Sequence, residues 1–293
     1  MKKHIRTIGT FLIITLAMGL SACDGTHEVD LLNAIDLRDK GDYENAFNAI
    51  KTLAKKGNAK AQFNLGLMYR NGRGIEQDYK EADKWFLQAK DTLYTAANDG
   101  DAYAQYALGE MYNYGLGISK DAKIATRWYK KSSVSFMQEA EQGSAFAQYK
   151  MGVLNHDGKG VEKNDALAIR WYTLAAQQGH ANAQYNVGYM YRNNQGIAES
   201  DKAVIDKQVM KWYRLASEQG HRNAQFHLAL MYSTGEAGVE DNVYAYMWYD
   251  IAAPVHITAQ RNRSIIEAIL SSEELVFAKS LAYECKAKDY KDC

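Results

Sequence analysis

From Ala59 onward, small and apolar residues return every three or four positions, stop at a glycine pair, and then resume. In the first such stretch Ala61, Leu65, Met68 and Tyr69 fall at i, i+4, i+7 and i+8, which is one face of an α-helix. Gly72 and Gly74 then mark a turn, and a second helical stretch follows that carries Trp85 and Phe86. No alternating run rich in Val, Ile and Thr occurs, and the one proline is Pro254. The pattern therefore predicts helices throughout.

This two-helix block recurs five times. The first helices read AKAQFNLGLMYRNGRG from Ala59, AYAQYALGEMYNYGLG from Ala102, SAFAQYKMGVLNHDGKG from Ser144, ANAQYNVGYMYRNNQG from Ala181 and RNAQFHLALMYSTGEAG from Arg222. Each second helix bears an aromatic pair: Trp85-Phe86, Trp128-Tyr129, Trp171-Tyr172, Trp212-Tyr213 and Trp248-Tyr249. Subtracting the numbers of successive anchor glutamines (Gln62, Gln105, Gln148, Gln184 and Gln225) gives spacings of 43, 43, 36 and 41. Gly66, Gly109, Gly152 and Gly188 lie in mid-helix, where glycine costs about 1 kcal/mol against alanine. Their recurrence predicts a helix contact too close for a side chain, with Ala229 in the fifth copy tolerating one methyl.

The spacings also predict where repeats differ. From Trp85 to Gly100 and from Trp128 to Gly143 is 15 residues, whereas from Trp171 to Gly179 and from Trp212 to Gly220 it is 8. Seven residues is nearly two helical turns, so the second helices of copies one and two should be longer, as a pair, over Gln88–Ala97 and Lys131–Ala140. Gln to Trp is 23 residues in four copies and 28 in copy four, which places five extra residues around Asn193–Lys207.

The order Ala-Gln-aromatic, Leu-Gly-x-Met-Tyr, Gly-x-Gly, Trp-Tyr resembles the Sel1-like repeat, a relative of the tetratricopeptide repeat, over roughly residues 40–253. The resemblance implies an all-α, right-handed α-solenoid of helix-turn-helix units, with five repeats over 57–253. Residues 29–56 are read as an N-terminal capping helix pair, and 254–293 as C-terminal capping helices and tail. The resemblance also implies that first helices line the concave surface. Their variable stripe, at i, i+4, i+7 and i+11, supplies candidate partner-binding residues: Tyr103, Glu110, Tyr114, Phe146, Lys150, Tyr189 and Asn193. Phe146 has a second reading, packing against the neighbouring repeat.

The first 22 residues read as a lipoprotein signal peptide. Lys2, Lys3 and Arg6 precede an apolar run from about Ile8 to Leu20, which ends in Leu-Ser-Ala-Cys at Cys23. This resembles a bacterial lipobox, with Cys23 as the lipidated residue and 23–28 as a short tether. By the same resemblance Asp24 favours retention in the inner membrane, with the outer membrane as the alternative. The expected location is the cell membrane, facing the periplasm. In such an oxidising compartment Cys285 and Cys293 are either bridged or free thiols.

Basic and acidic residues number 35 each, which gives no basic footprint for nucleic acid. No HExxH, GxSxG or Walker loop occurs, and no metal-ligand cluster, so no catalytic residue, cofactor or metal is assigned. His180 and His221 open two repeats where Asp101 and Ser144 stand in others, which predicts a polar helix-start role. A cysteine-rich Sel1-like subfamily is associated with β-lactamase activity, but its paired cysteines are missing from these repeats. The expected function is a non-catalytic scaffold that binds protein partners in the cell envelope. One alternative is an immunity protein that neutralises a periplasm-acting toxin, and another is an envelope enzyme.

Overall fold

A computed structural model describes residues 21–236, 240–254 and 256–293, with side chains from residue 30 onward. The signal segment through Leu20 and the side chains of Cys23 and Asp24 lie outside the described residues. Among the described residues all regular structure is helical. Helices α1 (Ser21–Lys40) and α2 (Tyr43–Lys55) form the N-terminal pair. Because α1 starts at Ser21, the segment read as a tether is helical backbone.

Five pairs follow: α3 (Ala59–Asn71) with α4 (Tyr79–Asn98), α5 (Ala102–Tyr114) with α6 (Ala122–Glu141), α7 (Ala145–Asp157) with α8 (Asp165–Gln177), α9 (Ala181–Arg192) with α10 (Lys202–Ser217), and α11 (Arg222–Thr234) with α12 (Asn242–Ala252). Helices α13 (Ile257–Glu267) and α14 (Ser272–Ala287) close the array. Each helix from α1 to α12 packs chiefly on its chain neighbours, as a solenoid requires, whereas α13 and α14 both pack on α12.

The recurring residues have recurring jobs. Asn58, Asp101 and Ser144 cap the first helices of copies one to three by accepting a backbone N–H. Asp78, Asp121, Asn164, Asp201 and Asp241 do the same for every second helix. Gly115 ends α5 in the left-handed region, φ 70°, which frees the chain to turn. The second glycine of the turn lies on the preceding repeat: a methyl at Gly117 would sit 2.8 Å from Phe86 Cβ.

Two interactions set the geometry between helices. Within a repeat, the mid-helix glycine receives the second aromatic ring. A methyl on Gly66, Gly109 or Gly188 would lie 2.5, 2.6 or 2.8 Å from Phe86, Tyr129 or Tyr213, and one on Gly152 closer still to Tyr172. Between repeats, the anchor glutamine donates its side-chain amide to a carbonyl eight residues earlier, in the last turn of the preceding helix. Gln62 reaches Ala54 O (3.2 Å), Gln105 reaches Ala97 O (3.0 Å), Gln148 reaches Ala140 O (3.1 Å), Gln184 reaches Ala176 O (3.2 Å) and Gln225 reaches Ser217 O (3.2 Å). Each of these carbonyls also accepts the backbone N–H of the glycine three residues on (Gly57, Gly100, Gly143, Gly179 and Gly220), so the glutamine takes up its second lone pair.

Helices α4 and α6 are 20 residues long against 13 for α8, so the paired extension is present. Tyr94 of α4 meets Trp128 of α6 edge-on at 5.9 Å. The insertion in copy four is shared rather than confined to the loop. Helix α9 is one residue shorter than α7, and α10 has 16 residues. With no glycine after α9, Asn194 takes the left-handed conformation (φ 53°), to which asparagine is suited among non-glycine residues. Cys285 and Cys293 are disulfide-bonded with their Cα atoms 5.5 Å apart, which ties the tail to the end of α14.

The glycine contact makes a directional prediction. Gly109→Ala should destabilise by roughly 1–2 kcal/mol, because overpacking against a buried ring exceeds the gain in helix propensity. Ala229→Gly should cost about 1 kcal/mol from propensity alone. Urea unfolding of the two variants checks both values.

Candidate functional site

The concave face is not empty. Helix α1 runs along it, burying Leu31, Ala34 and Ile35 and contacting α3 and α9. Arg38 donates to the side chain of Asn64 on α3 and pairs with Asp39 at 2.5 Å. At the far end of the groove, Gly41 lies against the stem of Arg222, at the start of α11; a methyl there would be 2.8 Å from Arg222 Cγ. The solenoid therefore curls around its own first helix.

This divides the variable stripe along its length. Near the helix starts of the first four copies it is buried or half-buried. Tyr103 is only 7% exposed, exchanges hydrogen bonds with Asn64 (2.8 and 3.1 Å), and stacks on Phe146 at 6.0 Å. Lys150 is 6% exposed. These two are not offered to a partner, contrary to the sequence-based expectation, because α1 takes the place that the partner was expected to fill. Phe146 is half-buried and also meets Phe136 edge-on at 6.1 Å, so inter-repeat packing accounts for it. Glu110 is half-buried, accepting from Tyr129 Oη (2.7 Å) and Lys159 Nζ (2.9 Å).

Near the helix ends the stripe is open. Asn71, Tyr114, Asp157, Asn193 and Thr234 are all exposed. Tyr114 is 50% exposed with the Arg70 guanidinium 6.0 Å from its ring centroid, and Tyr189 is 40% exposed. Asn193 turns its side-chain amide back to Tyr189 O at 2.8 Å, and so bounds the Tyr189 surface. Beside Tyr189 is a cavity of about 160 Å³ lined by His156, Tyr172, Tyr185, Asn186 and Met190. His156 lies 2.9 Å from Asp165. Among the described residues, no group of three His, Cys, Asp or Glu converges as a metal site would need.

The helix-start histidines form a ladder. His180, His221 and His256 each accept the N3 backbone N–H through Nδ1, at 3.4, 3.2 and 3.2 Å. Each ring stacks on an aromatic residue of the preceding first helix: His180 on Tyr149 (4.6 Å), His221 on Tyr185 (4.5 Å) and His256 on Phe226 (4.1 Å). An Nδ1 that accepts must be unprotonated, so the rings are neutral. Burial pushes His180 down to about 4 and His221 down to about 3. It lowers His256 too, while His227, stacked on Tyr213 at 5.2 Å, falls to about 4. The sequence pattern marks His180 and His221 but not His256, which lies beyond the last repeat.

The fold and face define a class: an all-α solenoid of helix-turn-helix repeats with a concave surface. Five stretches match the Sel1 repeat, at residues 59–91, 102–133, 145–180, 181–221 and 222–253, more than half of the chain. The chain belongs to the Sel1 repeat family, whose repeats serve as scaffolds for protein–protein interaction. A Sel1 repeat protein from Oxalobacter formigenes is 29% identical, with 86% of this chain and 96% of that one covered and a TM-score of 0.48. An immunity protein from Pseudomonas aeruginosa is 19% identical, with 78% and 82% covered and a TM-score of 0.43. A component of an ERAD-associated E3 ubiquitin-protein ligase from Arabidopsis thaliana is 38% identical over 55 residues, 18% of this chain and 8% of that protein. The chain thus spans a small fraction of that relative's length.

Because the unfolded chain binds protons on these histidines that the fold excludes, stability rises with pH in this window. It should be complete above the unfolded value of about 6.5 and decline toward the folded values, with up to about 1.4 kcal/mol per pH unit for each fully buried ring. Thermal melts from pH 7.5 to 4.5 check this, and His221→Asn, which keeps a capping oxygen, should flatten the decline.

Proposed function

We propose that the protein is a non-catalytic scaffold, tethered to the cell envelope through lipidated Cys23, that binds a partner protein along the open half of its concave face. The observation that carries this reading is the exposure of Tyr114 and Tyr189 toward the ends of first helices, on the half of the stripe that α1 leaves open. Exposed aromatic side chains on a rigid helix lose little entropy when a partner covers them, and they are favoured at binding hot spots. No helix among the described residues is long and apolar enough to cross a membrane, so in this reading membrane attachment rests on the acyl chains.

Two measurements test the two halves of the reading. Cys23→Ser should abolish incorporation of labelled fatty acid and release the protein from the membrane fraction; unchanged membrane association would refute the tether. Cross-linking capture of the tagged full chain should yield a partner that is lost in Tyr114→Ala/Tyr189→Ala while helicity is retained. A partner equally retained by that variant would move the binding surface elsewhere. If the partner is a toxin acting on the periplasm, the scaffold is an immunity protein.

A further inference from the structure

Beneath the C-terminal end of α1 lies a cavity of about 140 Å³, lined among others by Arg38, Arg73, Glu110, Lys150, Tyr106 and Leu67. Its charges do not balance. Arg38 is matched by Asp39 at 2.5 Å. Glu110 is matched by Lys159 at 2.9 Å, which it shares with Asp157 at 3.2 Å. Subtracting these pairs leaves Lys150 and Arg73, neither of which has an ion pair or hydrogen bond among the described residues. Arg73 sits at the exposed mouth, with its guanidinium 5.4 Å from the Tyr43 ring centroid.

Lys150 is the more informative of the two. It is a buried ammonium ringed by Tyr103, Tyr106, Phe146 and Tyr149, with centroids 5.7, 4.8, 5.3 and 5.5 Å away. Ring faces attract a cation, but they offer no lone pairs to its three N–H groups, which are left to the cavity. Burial pulls its pKa down to about 8. A buried charge is normally paired. Tyr106 Oη likewise has no hydrogen bond among the described residues, so a second donor lines the same space.

We propose that this cavity binds a small oxyanion carrying up to two negative charges, of the phosphate or dicarboxylate class, held by Lys150 and Arg73. Lys150 supplies the enclosed charge, Arg73 closes the mouth with a planar donor pair, and Tyr106 donates from the side. Leu67, with Phe63 and Met68, gives room for a short carbon stem. Arg38 roofs the cavity from α1, so an occupant would also bridge α1 to the repeats. Binding of this ligand does not depend on the protein-binding reading above.

The test is isothermal titration of the full chain with inorganic phosphate and, separately, succinate, at fixed ionic strength set with chloride. One of the two should bind with one-to-one stoichiometry, and which one does identifies the class. Arg73→Gln, a change at an exposed position, should weaken binding about tenfold or more, as loss of a charge-assisted contact does. Lys150→Met should abolish it. Acylation of the Lys150 amine, followed by mass spectrometry, should be slowed by the bound anion while acylation of exposed lysines is not. The proposal is overturned if neither anion binds, if Arg73→Gln binds as tightly as the parent, or if Lys150 is not protected.

Discussion

Each junction between repeats depends on one side-chain amide. The anchor glutamine reaches back eight residues to a carbonyl in the last turn of the preceding helix, one that also accepts a glycine N–H from the turn, and it does so in all five copies. Because the bond is counted from the end of the helix, it does not depend on helix length. That is why α4 and α6 can be 20 residues and α8 only 13 without changing the junction. The glycine–aromatic contact then fixes the spacing inside each repeat. Together the two contacts turn a local sequence block into a defined rotation per repeat, and curvature follows from repetition.

Curvature creates a groove, and the groove is filled by α1. The filling has electrostatic consequences. Arg38 enters with Asp39 beside it, so its charge arrives compensated. Lys150 has no such companion and is surrounded by rings instead. At the starts of two later repeats burial beside α1 keeps the capping histidines His180 and His221 neutral, where Asp101 and Ser144 serve earlier in the chain. One structural choice, a helix laid in the groove, thus separates the covered and open halves of the variable stripe. It also helps set the proton affinities of groups lying along it.

The repeat units were legible because periodicity and spacing are local properties. The lengthened helices could be read from Trp-to-Gly distances, and the close glycine contacts and the polar role of His180 and His221 from the residues that share one position among the copies. The site was less legible. Tyr103 and Lys150 looked exposed because a comparison among repeats cannot see a helix from outside them. Leu31, Ala34 and Ile35 mark α1 as having one apolar face, but nothing in their spacing says which surface receives it. In copy four the five extra residues were countable, yet their division between loop and helix depended on which residue could take a positive φ, and this fell to Asn194.

Arg222 joins the two ends of the array. Its stem supports Gly41 from the N-terminal pair, its guanidinium donates to Ile251 O at 3.0 Å, and it faces the ring of Tyr290 in the tail at 5.9 Å. An open stack of helices behaves as a spring, stretching and twisting to wrap what it holds. Here both ends are latched to one side chain, so bending the stack must slide glycine backbone past an arginine stem. A partner bound along the groove would therefore meet a stack held at both ends, and would be selected by shape already present rather than by wrapping.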